Sequence, residues 1–208
     1  LDSLVQNGKI LKTFITWLPY TNLSFAEKKD KFAQITVNKK PEEIKFDTDQ
    51  LNQFIIDNLN LKNGYIHLEA FIDKEGQPII CEFAWRTPGE YMLSNHSKAF
   101  DIDVCKILID IMVERKIDTI KDIEHTICVG DMFLPVYNGR IKNISGFDDL
   151  KNIEGVLTGE IKYKNNDEVV TKRQYTDSSG WLQVEGKNKE EVLERMVAIY
   201  NEFILEMY

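Results

Sequence analysis

Residues 64–90 read GYIHLEAFIDKEGQPIICEFAWRTPGE, and this stretch decides the fold. Tyr65–Ile72 and Pro78–Trp85 are strand-like runs, and Glu75-Gly76 sits at the centre of the DKEGQ segment between them. A two- or four-residue loop centred there predicts a hairpin that pairs Ile72 with Ile79 and, further back, Glu69 with Glu82. A three-residue loop would instead slip the pairing by one and send Glu82 to the other face. Side chains directly opposite in an antiparallel pair stand roughly 4.5–5.5 Å apart at Cβ. Two carboxylates so placed repel unless a cation neutralises them. A hard divalent cation does this, and Mg²⁺ commonly takes one or two carboxylates together with substrate phosphates. Strand alternation also puts Arg86 on the Glu82 face, beside Ala84. A solvated charged face is the plainer account of the same residues.

The rest of the composition bounds the problem. The chain has 208 residues, 43% of them hydrophobic, which allows one large or two small domains with a real core. No run of about 18 apolar residues occurs, so no membrane span is expected. The opening LDSLVQNGKIL lacks the basic stretch and apolar run of a signal peptide. Leu1 stands where a Met would, in what reads as mid-strand, which suggests a piece of a longer protein. A formal net charge of -8 argues against nucleic-acid binding, which needs a basic footprint. Cys81, Cys105 and Cys128 are far apart and form no CxxC. Cys81 in an apolar strand and Cys105 in an apolar helix read as buried free thiols of a cytoplasmic protein. The histidines His67, His96 and His125 have no metal-site spacing.

Around the central hairpin, Leu1–Val5 and Lys9–Trp17 are expected to pair across Gln6-Asn7-Gly8, because Asn-Gly is a strong turn signal. Ser24 and Glu27 fit a capping box over a short helix, and Gln34–Val37 fits a strand. Asp49–Asn58 reads as a helix with Leu51, Phe54 and Ile55 on one stripe. Ser94 or Asn95 would cap a helix running to about Lys116, its Val104, Ile107, Leu108, Ile111 and Met112 packing into the core. Strands are expected at Thr126–Pro135, Val156–Lys164 and Trp181–Glu185, and a short helix at Asp148–Ile153. Asn188 with Glu191 would cap a last helix ending near Tyr208. The alternation of elements predicts an α+β fold, a sheet covered on one side. No internal repeat or low-complexity linker is seen, and a boundary is expected between Lys116 and Glu124.

HLEAF, a turn, then CEFAWRTPG resembles the metal and phosphate hairpin of the ATP-grasp superfamily. LDSLVQNGKI resembles the strand pair opening the second half of that domain. GRIKNISGFDDL, VLTGEIKYKNNDEV and SSGWLQVEGKNKEEVLERM resemble the closing domain of amino-acid ligases related to biotin carboxylase. The resemblance therefore implies an antiparallel sheet of the second ATP-grasp lobe with packed helices over residues 1–118. A small α+β C-terminal subdomain would follow over 119–208. The first lobe, with its lysines and glycine-rich loop, has no counterpart here. The chain by itself is thus expected to bind ATP weakly and to lack ligase activity. The surface that such a lobe would cover should then be exposed and prone to self-association, in its simplest form a homodimer.

The family activates a carboxylate by moving the γ-phosphoryl group of ATP onto it, after which an amine or other nucleophile attacks the acyl phosphate. By resemblance, Glu69 and Glu82 would bind Mg²⁺, or Mn²⁺ in its place, bridging the phosphates of ATP. Arg86 would steady the acyl phosphate or γ-phosphate through its planar donor fork. Thr87, Gly89 and Glu90 would lie against the acceptor, with Glu90 meeting a substrate amine or serving as an ordinary surface glutamate. Ile80, on the Glu82 face by alternation, would floor the nucleotide pocket or be plain core. His67, on the Glu69 face, would reach a glutamate or phosphate or be a packed structural histidine. Many members carry a metal-binding asparagine two residues after the second glutamate; here that residue is Ala84. This departure leaves the number of Mg²⁺ ions open. It fits amino-acid ligases better than biotin carboxylase-like or carbamoyl phosphate synthase-like proteins. A non-catalytic binding module is the alternative of another class. No GxGxxG or GxxxxGK[ST] occurs, so neither a Rossmann site nor a P-loop is indicated.

Overall fold

The computed structural model describes residues 1–28, 31–89, 91–117, 120, 127–172 and 177–208. In chain order the elements begin β1 (Asp2–Gln6), β2 (Lys9–Trp17), α1 (Asn22–Lys28), β3 (Phe32–Val37), α2 (Thr48–Asn58), β4 (Gly64–Ile72) and β5 (Pro78–Ala84). They continue with α3 (Met92–Phe100), α4 (Val104–Met112), β6 (Cys128–Leu134), β7 (Gly139–Ile144) and α5 (Phe147–Leu150). The chain closes with β8 (Val156–Ile161), β9 (Glu168–Val169), β10 (Gly180–Gly186), α6 (Lys189–Glu202) and β11 (Leu205–Met207). Two compact units result: Leu1–Thr16 with Thr36–His125, and Trp17–Ile35 with Thr126–Tyr208.

In the first unit the strands run in the order β5-β4-β1-β2, with antiparallel pairing at each step. Asn7 and Gly8 both take positive φ, as the tight β1–β2 turn requires. Every residue of β1 is buried, because the sheet carries helices on both faces. Leu4, Phe14 and Tyr65 pack with Val104 and Ile111 of α4. On the opposite face Val5, Ile66 and Leu68 pack with Ile55 and Ile56 of α2. The expectation of a sheet covered on one side is corrected accordingly for this unit. Alternation sends Leu4 one way and Val5 the other, and both residues find a core.

The second unit holds the order β3-β6-β10-β8 and a three-stranded sheet, β11-β7-β9. Asn188 accepts from the Glu191 N–H and Glu191 accepts from the Lys187 N–H, so α6 opens as its sequence predicts. Val192, Met196 and Ile199 form its buried stripe. Gln34 donates to both carboxylate oxygens of buried Asp131, at 3.0 and 2.9 Å. The small sheet closes over Val136, Ile141 and Val169. Among the described residues, no helix is long and apolar enough to cross a membrane.

Several local expectations are corrected. The α1 helix opens at Asn22, and Thr21 rather than Ser24 supplies the first cap, accepting from the Ser24 N–H. Phe54 points to solvent, because Asn52, Ile55 and Ile56 make the buried face of α2. The single helix expected up to Lys116 is two, broken where Asp101 turns left-handed and Asp103 caps α4. Ser94 and Asn95 lie inside α3, and Met112 is exposed. The last helix stops at Glu202, and β11 pairs with β7 instead. Cys81 and Cys105 are exposed, while Cys128 is buried. Thr126 and His125 fall outside the described residues.

Candidate functional site

The β4–β5 hairpin turns through Asp73–Gln77, where the Asp73 carboxylate accepts from the N–H groups of Glu75 and Gln77. This five-residue loop pairs Ile72 with Pro78 and Phe71 with Ile79, one residue out of the expected register. An irregularity then inserts Cys81, and the ladder resumes with Glu69 opposite Glu82, Leu68 opposite Phe83 and His67 opposite Ala84. The bulge therefore restores the carboxylate pair that the turn alone would have lost. It also breaks the alternation between Ile80 and Glu82. Ile80 faces Ala70, on the α2 side of the sheet, so its expected place beside Glu82 is corrected. Ile80 is half exposed and is not core.

The glutamates lie on the face that carries α3 and α4, and that face holds a polar network beneath them. Asp2 of β1 pairs with His67 of β4 in the ladder, and Asp2 Oδ1 accepts from His67 Nδ1 at 2.7 Å. The other ring nitrogen, Nε2, faces Glu69 Oε1 at 3.3 Å. His96 of α3 brings its Nε2 to 3.7 Å from Asp2 Oδ2 and 3.2 Å from Thr16 Oγ1. Its Nδ1 meets the Tyr65 hydroxyl at 2.9 Å, and its ring stacks on Phe14 at 4.5 Å. On the other face Asn52 donates to Ser3 at 2.8 Å.

The charges follow from this packing. Burial lowers the affinity of His67 for a proton, but the hydrogen bonds to Asp2 and Glu69 outweigh it and raise its pKa to about 9. His67 is therefore an imidazolium donating from both nitrogens. Burial alone would raise the Asp2 carboxyl, yet the His67 hydrogen bond and nearby positive charge leave it below its usual range. The Glu69 carboxyl is lowered chiefly by its His67 hydrogen bond. His96 is driven the other way, to about 4, chiefly by burial, and is neutral near pH 7. Burial and the Asp2 charge raise the Tyr65 phenol, so its O–H donates to His96 Nδ1. The His96 Nε2–H then faces Thr16 and Asp2.

A divalent cation fits the donor set at the surface end of this network. Among the described residues, neither glutamate has a lysine or arginine within ion-pair distance, and Glu82 makes no side-chain hydrogen bond. Two carboxylates facing one another, only one of them contacted by His67, suit a hard metal ion that completes its shell with phosphate and water. No cluster of three or more His, Cys, Asp or Glu side chains among the described residues forms a closed protein cage. Two surface depressions, one lined by Asn7, Lys9, Asp57 and Lys62 and one by Ile144, Tyr163 and Asn165, include neither glutamate.

Strand β5 ends at Ala84, so the ladder does not extend to Arg86. Arg86 is exposed, and one guanidinium N–H donates to the Thr87 carbonyl at 2.7 Å. Trp85 is fixed against Gly64: a Cβ on that glycine would stand 2.8 Å from the indole, and its φ is +156°. Thr87 and Gly89 follow in the irregular segment after β5, and Glu90 falls outside the described residues. Asp2, Tyr65, Thr16 and His96 were not singled out from the sequence. Asp2 carried the one available signal, a carboxylate on the Leu4 face of an apolar strand.

No family model matches the chain. It is 24% identical over 207 residues to the L-arginine-specific L-amino acid ligase of Bacillus subtilis, covering 99% of this chain and 49% of that protein. Among solved structures, the L-amino acid ligase from Bacillus licheniformis superposes with a TM-score of 0.76 at 14% identity, over 100% of this chain and 51% of the other. Phosphoribosylglycinamide synthetase from Anaerococcus prevotii gives 0.71 at 12% identity, over 100% and 52%. The biotin carboxylase domain of Hydrogenobacter thermophilus 2-oxoglutarate carboxylase, in complex with MgADP and bicarbonate, gives 0.66 at 12%, over 99% and 45%. These are ATP-grasp proteins, and the chain has the α+β fold of about half of one. It spans about half the length of the curated relative it matches.

Proposed function

We propose that this chain is the C-terminal part of an ATP-dependent carboxylate–amine ligase acting on an amino acid or small carboxylate. The Glu69–Glu82 pair carries the reading, because a bulge brings the two carboxylates face to face. Mg²⁺, or Mn²⁺ in its place, would offset charge on the phosphates of ATP. Glu69 and Glu82 would hold it, Glu69 in an orientation set by His67. Arg86 would turn its remaining N–H donors to the transferring phosphoryl group or the acyl phosphate. Thr87, Gly89 and Glu90 would border the acceptor. The substrate carboxylate attacks the γ-phosphorus, ADP leaves, and an amine then attacks the acyl carbon and expels phosphate. ATP, the carboxylate and the amine are the partners this requires, in a cytoplasmic setting. The matched ligases support an amino-acid substrate. Ala84, opposite His67, places no further metal-binding side chain on β5, which separates this reading from a biotin carboxylase-like one.

The test is Mg²⁺-dependent ADP release by the full-length protein across a panel of amino acids. Turnover with one pair, reduced about 100-fold or more in Glu82→Ala, is expected. Absence of both turnover and ATP binding would leave a non-catalytic binding scaffold.

A further inference from the structure

Glu69 and Glu82 face one another, yet the structure treats them differently. Glu69 is 42% exposed at its side chain and is tied through His67, 6% exposed, to Asp2, which is fully buried. We propose that Asp2 and His67 form a positioning relay that fixes the Glu69 carboxylate for a divalent cation. This inference rests on the ATP-dependent reading above. Asp2 lies in β1, hydrogen-bonded to a neighbouring strand on each side, so it is an anchor with little freedom to move. His67 spans from that anchor to Glu69 with one ring nitrogen for each carboxylate, at 2.7 and 3.3 Å. The methyl group of Ala84 stands across from His67 and offers no competing hydrogen bond. The contact engages Glu69 Oε1 and, among the described residues, leaves Oε2 without a hydrogen bond.

A half-exposed glutamate would otherwise sample several rotamers, which a metal would have to order on binding. A donor held from behind at Oε1 lowers that cost and leaves Oε2 for the ion. Partners of this kind behind a metal ligand typically account for about 10–100-fold in metal affinity. His67 is thus a positioning residue, which acts on the metal through Glu69.

Two substitutions separate this role from simple satisfaction of a buried charge. The Gln side-chain nitrogen overlays imidazole Nε2, and the Asn nitrogen overlays Nδ1. His67→Gln therefore keeps the donor to Glu69 and loses the donor to Asp2, and His67→Asn does the reverse. The readout is the affinity of the full-length protein for Mn²⁺ in the presence of ATP, followed by the EPR signal of free Mn²⁺. Circular dichroism checks the fold. His67→Asn, which loses the donor to Glu69 itself, is expected to weaken Mn²⁺ binding about 10-fold or more, and His67→Gln, which loses only the anchor, by a smaller, several-fold factor. Equal losses in the two variants, or wild-type affinity in either, would overturn the relay. If His67→Asn does not fold, Asp2→Asn decides: a several-fold loss supports the anchor, and unchanged affinity rejects it. Glu82→Ala distinguishes the two levels. Binding lost there but intact in His67→Asn rejects only the relay. Binding intact in Glu82→Ala rejects the metal reading, and the relay with it.

Discussion

Strands β4 and β5 are hydrogen-bonded to each other and carry one glutamate each, yet their surroundings are opposite. The first five residues of β4 are buried, whereas five of the seven residues of β5 are exposed. Strand β4 lies between β1 and β5 in the sheet, and β5 is an edge. Ile79, Ile80 and Phe83 are 56, 46 and 45% exposed on that edge. The two halves of the carboxylate pair thus differ in kind. One is fixed by a buried charge network, and the other is presented on an open strand. A site assembled this way has one half held from beneath and one half exposed on the sheet edge.

The largest effect should come from breaking the buried side. Asp2→Ala leaves the His67 imidazolium without its buried partner and is expected to cost about 3–5 kcal/mol of unfolding free energy. Glu82→Ala on the exposed strand should cost under about 0.5 kcal/mol while removing activity. Denaturant unfolding of both variants measures the contrast. Equal destabilisation would mean that the two strands do not differ as described.

Next in size is a pH effect from His96, faced by Asp2, Tyr65, Thr16 and His67. Its pKa falls from 6.5 unfolded to about 4 folded, so the unfolded chain binds more protons between those values. The corresponding stability is fully present above pH 6.5 and is lost as pH falls toward 4, by about 3 kcal/mol at most. Thermal unfolding across this range should show that slope. A His96→Gln variant should flatten it; an unchanged slope would assign the acid limb to other groups.

The smallest effect should come from the edge. Phe83→Ser is expected to change stability by no more than about 0.5 kcal/mol. It should also reduce self-association of the isolated 208-residue chain, because exposed apolar edges pair with other chains. Analytical ultracentrifugation reads this, and undiminished association would place the sticky surface elsewhere.

Much of this was legible in the residues. The Asn7-Gly8 turn and the Asn188 cap follow from local chemistry, and alternation anticipated the facing of Glu69 and Glu82. The route to the last was not legible. The Asp73 side chain builds a five-residue loop that shifts the register by one, and Cys81 shifts it back. Two errors of equal size and opposite sign left the pairing intact, while Ile80 moved to the other face. Phe54 and Met112 were misread because both α2 and α4 are apolar on more than one stripe, and only packing chooses which stripe is buried. The three-stranded sheet was missed because β9 is two residues long and β11 three. Segments that short carry too little periodicity to register.

By itself the sequence determined the hairpin, the two glutamates it carries and the resemblance that points to ATP, because alternation and turn chemistry act between near neighbours along the chain. What lies beneath the site was decided only by the tertiary structure. Asp2, His67 and His96 are 65 and 29 residues apart in succession, and only the β1–β4 ladder with α3 packed over it brings them together. The proton on His67 and its absence from His96 follow from that meeting. Burial acts on both rings, but two carboxylates hydrogen-bond to one and none to the other.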